Sequence, residues 1–362
     1  GRALSPAAAA QNAAVAKVLK SGAPAFKPRP WCGVQDRAVK VGNAAVGTGR
    51  FKLEPGKPDA FRISPRMDGA TADLAIRLVD EMKLGQGAAP DLLSVSLSAT
   101  DYIGHAVGNE GMEMCIQMAE VDTAIGKLLA HLDARGIDYV VVLSADHGGL
   151  DTPERLDEQA LPRAVRVDDA LLPSALGKVI TARTGIAAPQ GPLLYADGAS
   201  GDFYVSRGIS ADDRTKVVEA LAAIARAHPQ VAAVYTNAEL ARTPMPSGNT
   251  QDWTILDRVR ASFDPARSGD VLILLDRAVT PIPEPMPGAY IATHGSVFDY
   301  DRRVPMLFWR KGLPAFEQPA PVETVDIAPT LAALIGIKAA DGTWDGRCLD
   351  LDGSSANTCA MK

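Results

Sequence analysis

The sequence DLLSVSLS at residues 91–98 and the sequence YVVVL at residues 139–143 are apolar runs typical of buried β-strands. Between them, residues 110–132 repeat apolar side chains at helical spacing, namely Met114, Met118, Val121, Ile125 and Leu128. A strand, a helix and a second strand at this spacing form a βαβ unit, which requires parallel strands. The sequence therefore predicts an α/β fold with a mostly parallel sheet flanked by helices.

Further elements extend this core. Amphipathic spacing predicts a helix over 70–84, and apolar runs predict a strand over 304–309 and a helix over 326–335. Residues 161–284 differ, because Pro-rich and Gly-rich segments alternate there with one clear helix, 212–227, and one strand-like run, 270–275. We predict an N-terminal arm over 1–65, a core built from 66–160 and 285–362, and an inserted cap over 161–284.

Composition excludes several classes of protein. Apolar residues make up 47% and charged residues 22% of the 362 residues, which excludes a disordered or collagen-like chain. No apolar run is long enough to predict a membrane span. The net charge of −6 argues against a nucleic-acid partner. Residues 1–52 nevertheless carry nine Lys and Arg against one acid, a charge that either complements an acidic surface of the same protein or steers an anionic substrate.

Four cysteines allow three disulfide pairings. Closeness in sequence favours Cys348 with Cys359, which leaves Cys32 with Cys115. Two disulfides would indicate maturation in an oxidising compartment, either the periplasm or the outside of the cell. The alternative is four reduced, buried thiols in a cytosolic enzyme.

Three of the five histidines occur near predicted strand ends, together with two aspartates. The first set is Asp101 and His105, the second is Asp146 and His147, and His294 follows where the core resumes. Ligands and catalytic groups collect at the carboxyl ends of strands in such sheets. The other two histidines have structural explanations, since His131 lies near a helix C-terminus and His228 lies at a helix exit.

Neutral imidazole and carboxylate are ligands that suit Zn²⁺. These five residues are more than one catalytic ion usually takes and too few to complete two ion sites. We therefore predict two neighbouring zinc ions with further ligands from elsewhere, an arrangement suited to in-line displacement at phosphorus. The residues alone thus predict a metal-dependent phosphoester hydrolase.

At these same residues the sequence resembles the alkaline phosphatase superfamily, in particular the bacterial branch that groups single-domain alkaline phosphatases with nucleotide pyrophosphatase/phosphodiesterases. The resemblance extends from about residue 32 to residue 348. It rests on SATDYIGHAVG (98–108), LSADHGG (143–149), RSGD (267–270), ATHGS (292–296), DYDRRVPMLFW (299–309) and ETVDIAPTLAALIG (323–336). An Asp-x-x-x-His, an Asp-His-Gly-Gly and a distant Thr-His-Gly in this order form a specific signature.

The resemblance implies that Asp101, His105 and His294 hold one zinc ion and that Asp146 and His147 hold the second. In such enzymes the second ion is completed by an N-terminal Asp and by a Thr or Ser nucleophile, neither of which occurs here at a matching position. Thr100 belongs to the metal motif itself, and the sequence around Asp36 only superficially resembles the Lys-x-Arg pair that binds phosphate. Because the chain also begins at Gly1 without Met, we expect the nucleophile on a segment upstream of residue 1.

The resemblance favours a secreted or periplasmic phosphomonoesterase that acts on small-molecule phosphate esters as a monomer, by double displacement through the upstream nucleophile. The alternatives are a phosphodiesterase or nucleotide pyrophosphatase, a phosphonate or sulfate ester hydrolase, and a non-catalytic fragment stabilised by metal. In the motif DYDRRVP we expect the two arginines to pair structurally with Asp299 and Asp301.

Overall fold

The computed structural model describes residues 3–286, 288, 290–338, 340, 342–352 and 357–359. Gly1 and Arg2 lie outside the described residues. The expectation of an upstream segment and the positive charge of the N-terminal arm depend partly on these two residues. Among the described residues, no helix is long and apolar enough to cross a membrane.

The described helices include the four that the sequence predicts. They are α1 (Pro6–Ser21), α2 (Pro58–Arg62), α3 (Pro65–Met82), α4 (Ala99–Val107), α5 (Gly111–Ala134), α6 (Pro153–Glu158), α7 (Pro173–Thr184), α8 (Ala211–Arg226), α9 (Asn237–Arg242), α10 (Ile255–Ala261), α11 (Asp299–Arg302) and α12 (Ile327–Leu334). The helices predicted over 70–84, 110–132, 212–227 and 326–335 are confirmed as α3, α5, α8 and α12. Helix α3 starts at Pro65, whose fixed φ suits a first turn, and stops where Lys83 turns left-handed at φ 55°.

The strands form several small sheets. They are β1 (Val39–Val41), β2 (Ala44–Val46), β3 (Val140–Ser144), β4 (Val165–Arg166), β5 (Leu194–Tyr195), β6 (Gly201–Val205), β7 (Val231–Thr236), β8 (Val271–Leu275), β9 (Val279–Thr280) and β10 (Met306–Arg310). Strand β1 pairs with β2, β3 with β10, and β4 with β9, and a four-stranded sheet has the order β5-β6-β8-β7.

The α/β class is confirmed, but the strand pairing differs from the predicted parallel sheet. Only β4 and β9 pair in parallel among the described strands, and β3 pairs with β10 antiparallel. Residues 91–97 are outside any described strand, and the Leu92 side chain is 83% exposed. An apolar run indicates strand propensity, but a strand also needs a hydrogen-bonded neighbour, which propensity does not identify.

The pairing of β3 with β10 has a direct consequence for the site. Ser144, the last residue of β3, lies opposite Met306, the first residue of β10. The loop that leaves β3 and the loop that enters β10 therefore meet at the same edge of this sheet. The first of these loops contains Asp146 and His147, and the second follows His294.

Residues of the predicted cap share a hydrophobic cluster of their own. Buried side chains of α7 and α8 pack on one face of the four-stranded sheet around Phe203 and Ile273. The other face packs against α9 and α10 through Leu240 and Val259, in contact with Tyr235 and Leu272. The Pro-rich and Gly-rich texture thus belongs to loops between regular elements, of which the sequence revealed only α8 and β8.

Two disulfides, Cys32–Cys115 and Cys348–Cys359, confirm the predicted pairing. Cys32 is fully buried beside Met112 and Ile116 of α5, so the first disulfide joins the N-terminal arm to this helix. Two arginines of the basic arm form ion pairs, Arg37 with Glu158 and Arg50 with Asp36. Only the first of these pairs joins the arm to an acid elsewhere in the chain, since Asp36 belongs to the arm itself.

The Cys32→Ser/Cys115→Ser variant is expected to lose about 2–4 kcal/mol of unfolding free energy, because its disulfide restricts the unfolded chain. Urea denaturation without reductant measures the loss. The Cys348→Ser/Cys359→Ser variant is the control, and we expect a smaller loss because its cysteines are 11 residues apart rather than 83. An unchanged urea midpoint in the first variant would contradict the expectation.

Candidate metal centre

Helix α4 presents Asp101 and His105 on one face, since residues four apart lie one helical turn from each other. The start of the helix is held by Asp68, a buried residue of α3 whose Oδ1 accepts from the Ala99 amide at 2.9 Å. Gln117 donates from Nε2 to Asp68 Oδ2 at 2.6 Å. Burial raises the pKa of the Asp68 carboxyl, although these two hydrogen bonds act in the opposite direction.

The loop after β3 carries Asp146 and His147. The Nδ1 atom of His147 lies 2.8 Å from the Gly148 carbonyl oxygen, and the Asp146 carboxylate accepts from the His147 amide at 3.1 Å. The Gly148 amide donates to the Asp301 carbonyl oxygen at 2.6 Å. Gly148 also leaves no room for a side chain, because a Cβ there would collide with the Tyr300 carbonyl oxygen. The loop thus closely contacts the segment that precedes β10.

His294 reaches the site from a segment that is hydrogen-bonded to α4. The amides of Ile291 and Ala292 donate to the His105 carbonyl oxygen at 2.7 and 3.3 Å. The His105 Nδ1 atom in turn lies 2.9 Å from the Ala292 carbonyl oxygen. Both the backbone and the side chain of His105 are therefore fixed by the segment that leads to His294.

Three imidazoles converge on one carboxylate oxygen. The Oδ1 atom of Asp101 lies 3.2 Å from His294 Nε2, 3.4 Å from His105 Nε2 and 3.8 Å from His147 Nε2. The Asp146 Oδ2 atom lies 3.5 Å from His147 Nε2, and its side chain is 86% exposed. The rings of His147 and His294 stack with centroids 3.4 Å apart. The five residues singled out in the sequence thus lie together, on three separate segments.

The donor atoms of this cluster suit a metal ion. Because a carbonyl oxygen can only accept, His105 and His147 each donate from Nδ1, and their Nε2 atoms face the cluster. Burial, followed by the neighbouring His147 and His105, lowers the pKa of His294. Asp101, His147 and His294 each offer one ligand atom, all within 4.8 Å of one another. Neutral imidazoles around a carboxylate are a donor set that fits zinc.

Asp301, which is expected from the sequence to pair with an arginine, has a different role in the structure. Asp301 is buried and accepts from the Ser296 amide at 2.7 Å through Oδ2, whereas its Oδ1 has no hydrogen-bond partner among the described residues. The expected pairing with arginine holds for Asp299, which lies 3.4 Å from Arg302 and 3.2 Å from Arg258. The alternating pattern DYDRR does not reveal which acid is buried, so Asp301 was not recognised as a residue that shapes the His294 turn.

Other candidates from the sequence lie outside the cluster. His131 Nε2 is 2.9 Å from Asp80, and His228 Nε2 is 3.7 Å from Asp168. The Thr100 hydroxyl accepts from Gln117 Nε2 at 3.0 Å, and Arg37 pairs with Glu158. These contacts agree with the structural roles expected for the two histidines and provide no catalytic role for Thr100.

Comparison with known proteins finds a family model and two relatives that match most of this chain. A family model described as type I phosphodiesterase / nucleotide pyrophosphatase matches residues 23–297. The chain is 47% identical over 360 residues to alkaline phosphatase PhoK of Sphingomonas sp., covering 99% of this chain and 64% of that protein. It is 47% identical over 332 residues to alkaline phosphatase PhoD of Zymomonas mobilis, covering 91% and 57%. The chain thus spans less than two thirds of the length of both relatives.

The structure is also similar to a solved one. The crystal structure of alkaline phosphatase PafA matches with a TM-score of 0.77 at 20% sequence identity. The match covers 96% of this chain and 66% of that chain. At this level of identity the likeness establishes a shared fold.

Proposed function

Because the chain belongs to the type I phosphodiesterase / nucleotide pyrophosphatase family, within the alkaline phosphatase superfamily, we propose that it carries the metal centre of a zinc-dependent phosphomonoesterase. The observation that carries this proposal is the convergence of His105, His147 and His294 on Asp101, with Nε2 atoms 3.2–3.8 Å from one carboxylate oxygen. The two relatives described above are named alkaline phosphatases, which supports hydrolysis of small-molecule phosphate esters.

We propose that Asp101, His105 and His294 hold one zinc ion and that Asp146 and His147 hold a second. Two bound zinc ions would supply Lewis acidity to the phosphoryl group and to the leaving oxygen. The protein fixes the ligands in advance, since carbonyl oxygens hold the Nδ1 atoms of His105 and His147. The lowered pKa of His294 keeps this imidazole neutral to a more acidic pH than usual, and only neutral imidazole binds a metal.

The nucleophile is proposed to be a Thr or Ser on a segment upstream of residue 1, which acts as a partner of this chain within the same protein. Its hydroxyl oxygen would attack phosphorus as the bond to the leaving oxygen breaks, and water would then cleave the phospho-enzyme. Thr100, which precedes the proposed ligand Asp101, is not proposed as the nucleophile, because its hydroxyl accepts from Gln117 Nε2 at 3.0 Å.

The proposal extends to organisation and location. Residues 161–284, which share two hydrophobic clusters of their own, would form an inserted cap on a core of residues 66–160 and 285–362, with residues 1–65 as an arm. The two disulfides favour export to the periplasm or to the outside of the cell. We expect a monomer without a nucleic-acid partner.

The experiment that tests the function compares hydrolysis rates on an aryl phosphate and on a bis-aryl phosphate, with the whole zinc-loaded protein. We expect the monoester to react faster. The name of the matching family model favours a second candidate, a phosphodiesterase or nucleotide pyrophosphatase, and a preference for the diester would establish it. No turnover of either substrate would instead favour a non-catalytic, metal-stabilised module.

A further inference from the structure

A residue outside the metal-binding motifs connects two of the segments that carry the ligands. Asn109 follows α4, four residues after His105. Its side-chain Nδ2 donates to the Leu150 carbonyl oxygen at 2.9 Å, three residues after His147. Its backbone amide donates to Asp151 Oδ1, also at 2.9 Å. Asn109 therefore makes one side-chain and one backbone hydrogen bond to the end of the His147 loop.

The Asn109 amide also fills the space between these two segments. A Cβ at Gly104, one residue before His105, would collide with Asn109 Oδ1. A Cβ at Gly149, two residues after His147, would come within 2.7 Å of Asn109 Nδ2. Both contacts are tighter than a side chain tolerates. A glycine on each segment thus lets the backbone approach one planar amide closely, and this amide lies between α4 and the loop.

A buried ion pair helps to fix the position of Asn109, because Asp151, which accepts from the Asn109 amide, is paired with Arg155. Arg155 donates from Nη1 to both oxygens of Asp151 at 2.7 Å, and both residues are buried. Arg155 Nη2 also lies 3.4 Å from the Val107 carbonyl oxygen, in the last turn of α4. The segment 150–155 therefore holds the end of α4 through Leu150, Asp151 and Arg155.

We propose that Asn109 is a positioning residue of the metal centre, which sets the distance between the ligands of α4, Asp101 and His105, and the ligands of the loop, Asp146 and His147. This inference rests on the proposed metal-dependent function. Residues that orient metal ligands without binding the metal change metal affinity about 10- to 100-fold when they are replaced. Asn109 contacts Leu150, Asp151 and the two glycines on either side of it, so its effect on the metal would act through the ligands on these segments.

The test measures zinc affinity by competition with a chromogenic chelator, on whole protein prepared free of metal. Asn109→Ala removes the amide that separates the segments, and Asn109→Asp keeps its size but places an oxygen opposite the Leu150 carbonyl. We expect both variants to bind zinc about 10- to 100-fold more weakly than wild type. The matched control is Asn237→Ala, which removes an amide that donates to the Ser268 and Gly269 carbonyl oxygens at 3.4 and 3.3 Å.

The melting temperatures of the metal-free proteins distinguish a role in positioning the ligands from a general role in stability. We expect the Asn109 variants to change the melting temperature no more than Asn237→Ala does. Zinc affinity within twofold of wild type, or a loss equal to that of the control, would overturn the inference while leaving the metal centre intact. If wild type binds no zinc, the proposed metal centre fails, and the inference fails with it.

A double-mutant cycle provides a second measurement if Asn109→Ala folds poorly. Gly149→Ala inserts a methyl group against Asn109 Nδ2 and should weaken zinc binding in the wild-type background. The same substitution should cost less in Asn109→Ser, whose shorter side chain leaves room for the methyl group. Equal losses in both backgrounds would show that the two residues are not coupled and would contradict the proposed role.

Discussion

Replacing His294 with Ala is expected to lower the zinc content of the protein from about two ions to about one and to abolish most hydrolysis. The His294 Nε2 atom lies 3.2 Å from both Asp101 Oδ1 and His105 Nε2, so its loss removes one donor from the more buried ion site. Loss of several kcal/mol of transition-state stabilisation corresponds to a rate at least about 100-fold lower. Elemental analysis and rates on an aryl phosphate measure the two effects.

The matched control is His131→Ala, because His131 also pairs with an Asp, at 2.9 Å, but lies outside the metal cluster. We expect this variant to keep wild-type zinc content and activity. Zinc content that stays unchanged in His294→Ala would show that His294 is not a ligand. Lost activity with unchanged zinc would instead assign His294 a role in binding substrate.

The five residues of the candidate metal cluster could be singled out from the sequence because each pair among them is local. Asp101 and His105 are one helical turn apart, and Asp146 and His147 are adjacent, so each pair is recognisable without knowledge of the fold. His294 was recognised from its Thr-His-Gly context and from the resemblance. What brings the three segments together is the antiparallel pairing of β3 with β10 and the bonds from residues 291 and 292 to His105, neither of which leaves a local pattern.

The supporting residues could not be predicted for a related reason. Asp68, Asn109 and Asp301 are ordinary polar residues in the sequence, and only the folded structure gives each one a specific partner. The same limitation explains why the first strand of the predicted βαβ unit is not among the described strands. Residues 91–98 have strand-like composition, yet Leu92 is exposed and the segment lacks a described strand partner, because pairing depends on contacts distant in sequence.

Replacing Arg155 with Met is expected to destabilise the protein by about 3–5 kcal/mol near neutral pH, since it leaves the Asp151 carboxylate buried without its cation. Burial already raises the pKa of Asp151, and Arg155 is the largest opposing influence. Without Arg155 this pKa rises further, so the folded state retains a proton that the unfolded chain releases near about pH 4. The deficit relative to wild type should therefore be largest above the raised pKa and should shrink as the pH falls toward the ordinary carboxyl value.

Urea denaturation of metal-free protein at several pH values measures this dependence. Asp151→Asn/Arg155→Met should recover most of the lost stability, because a neutral amide can still accept from the amides of Asn109 and Thr152. Arg310→Met is the exposed control, as Arg310 pairs with Asp138 at 2.6 Å with side chains 46% and 72% exposed, and it should cost less than about 1 kcal/mol. A loss in Arg155→Met that does not vary with pH would mean that lost packing of the arginine side chain, rather than the uncompensated Asp151 charge, accounts for the destabilisation.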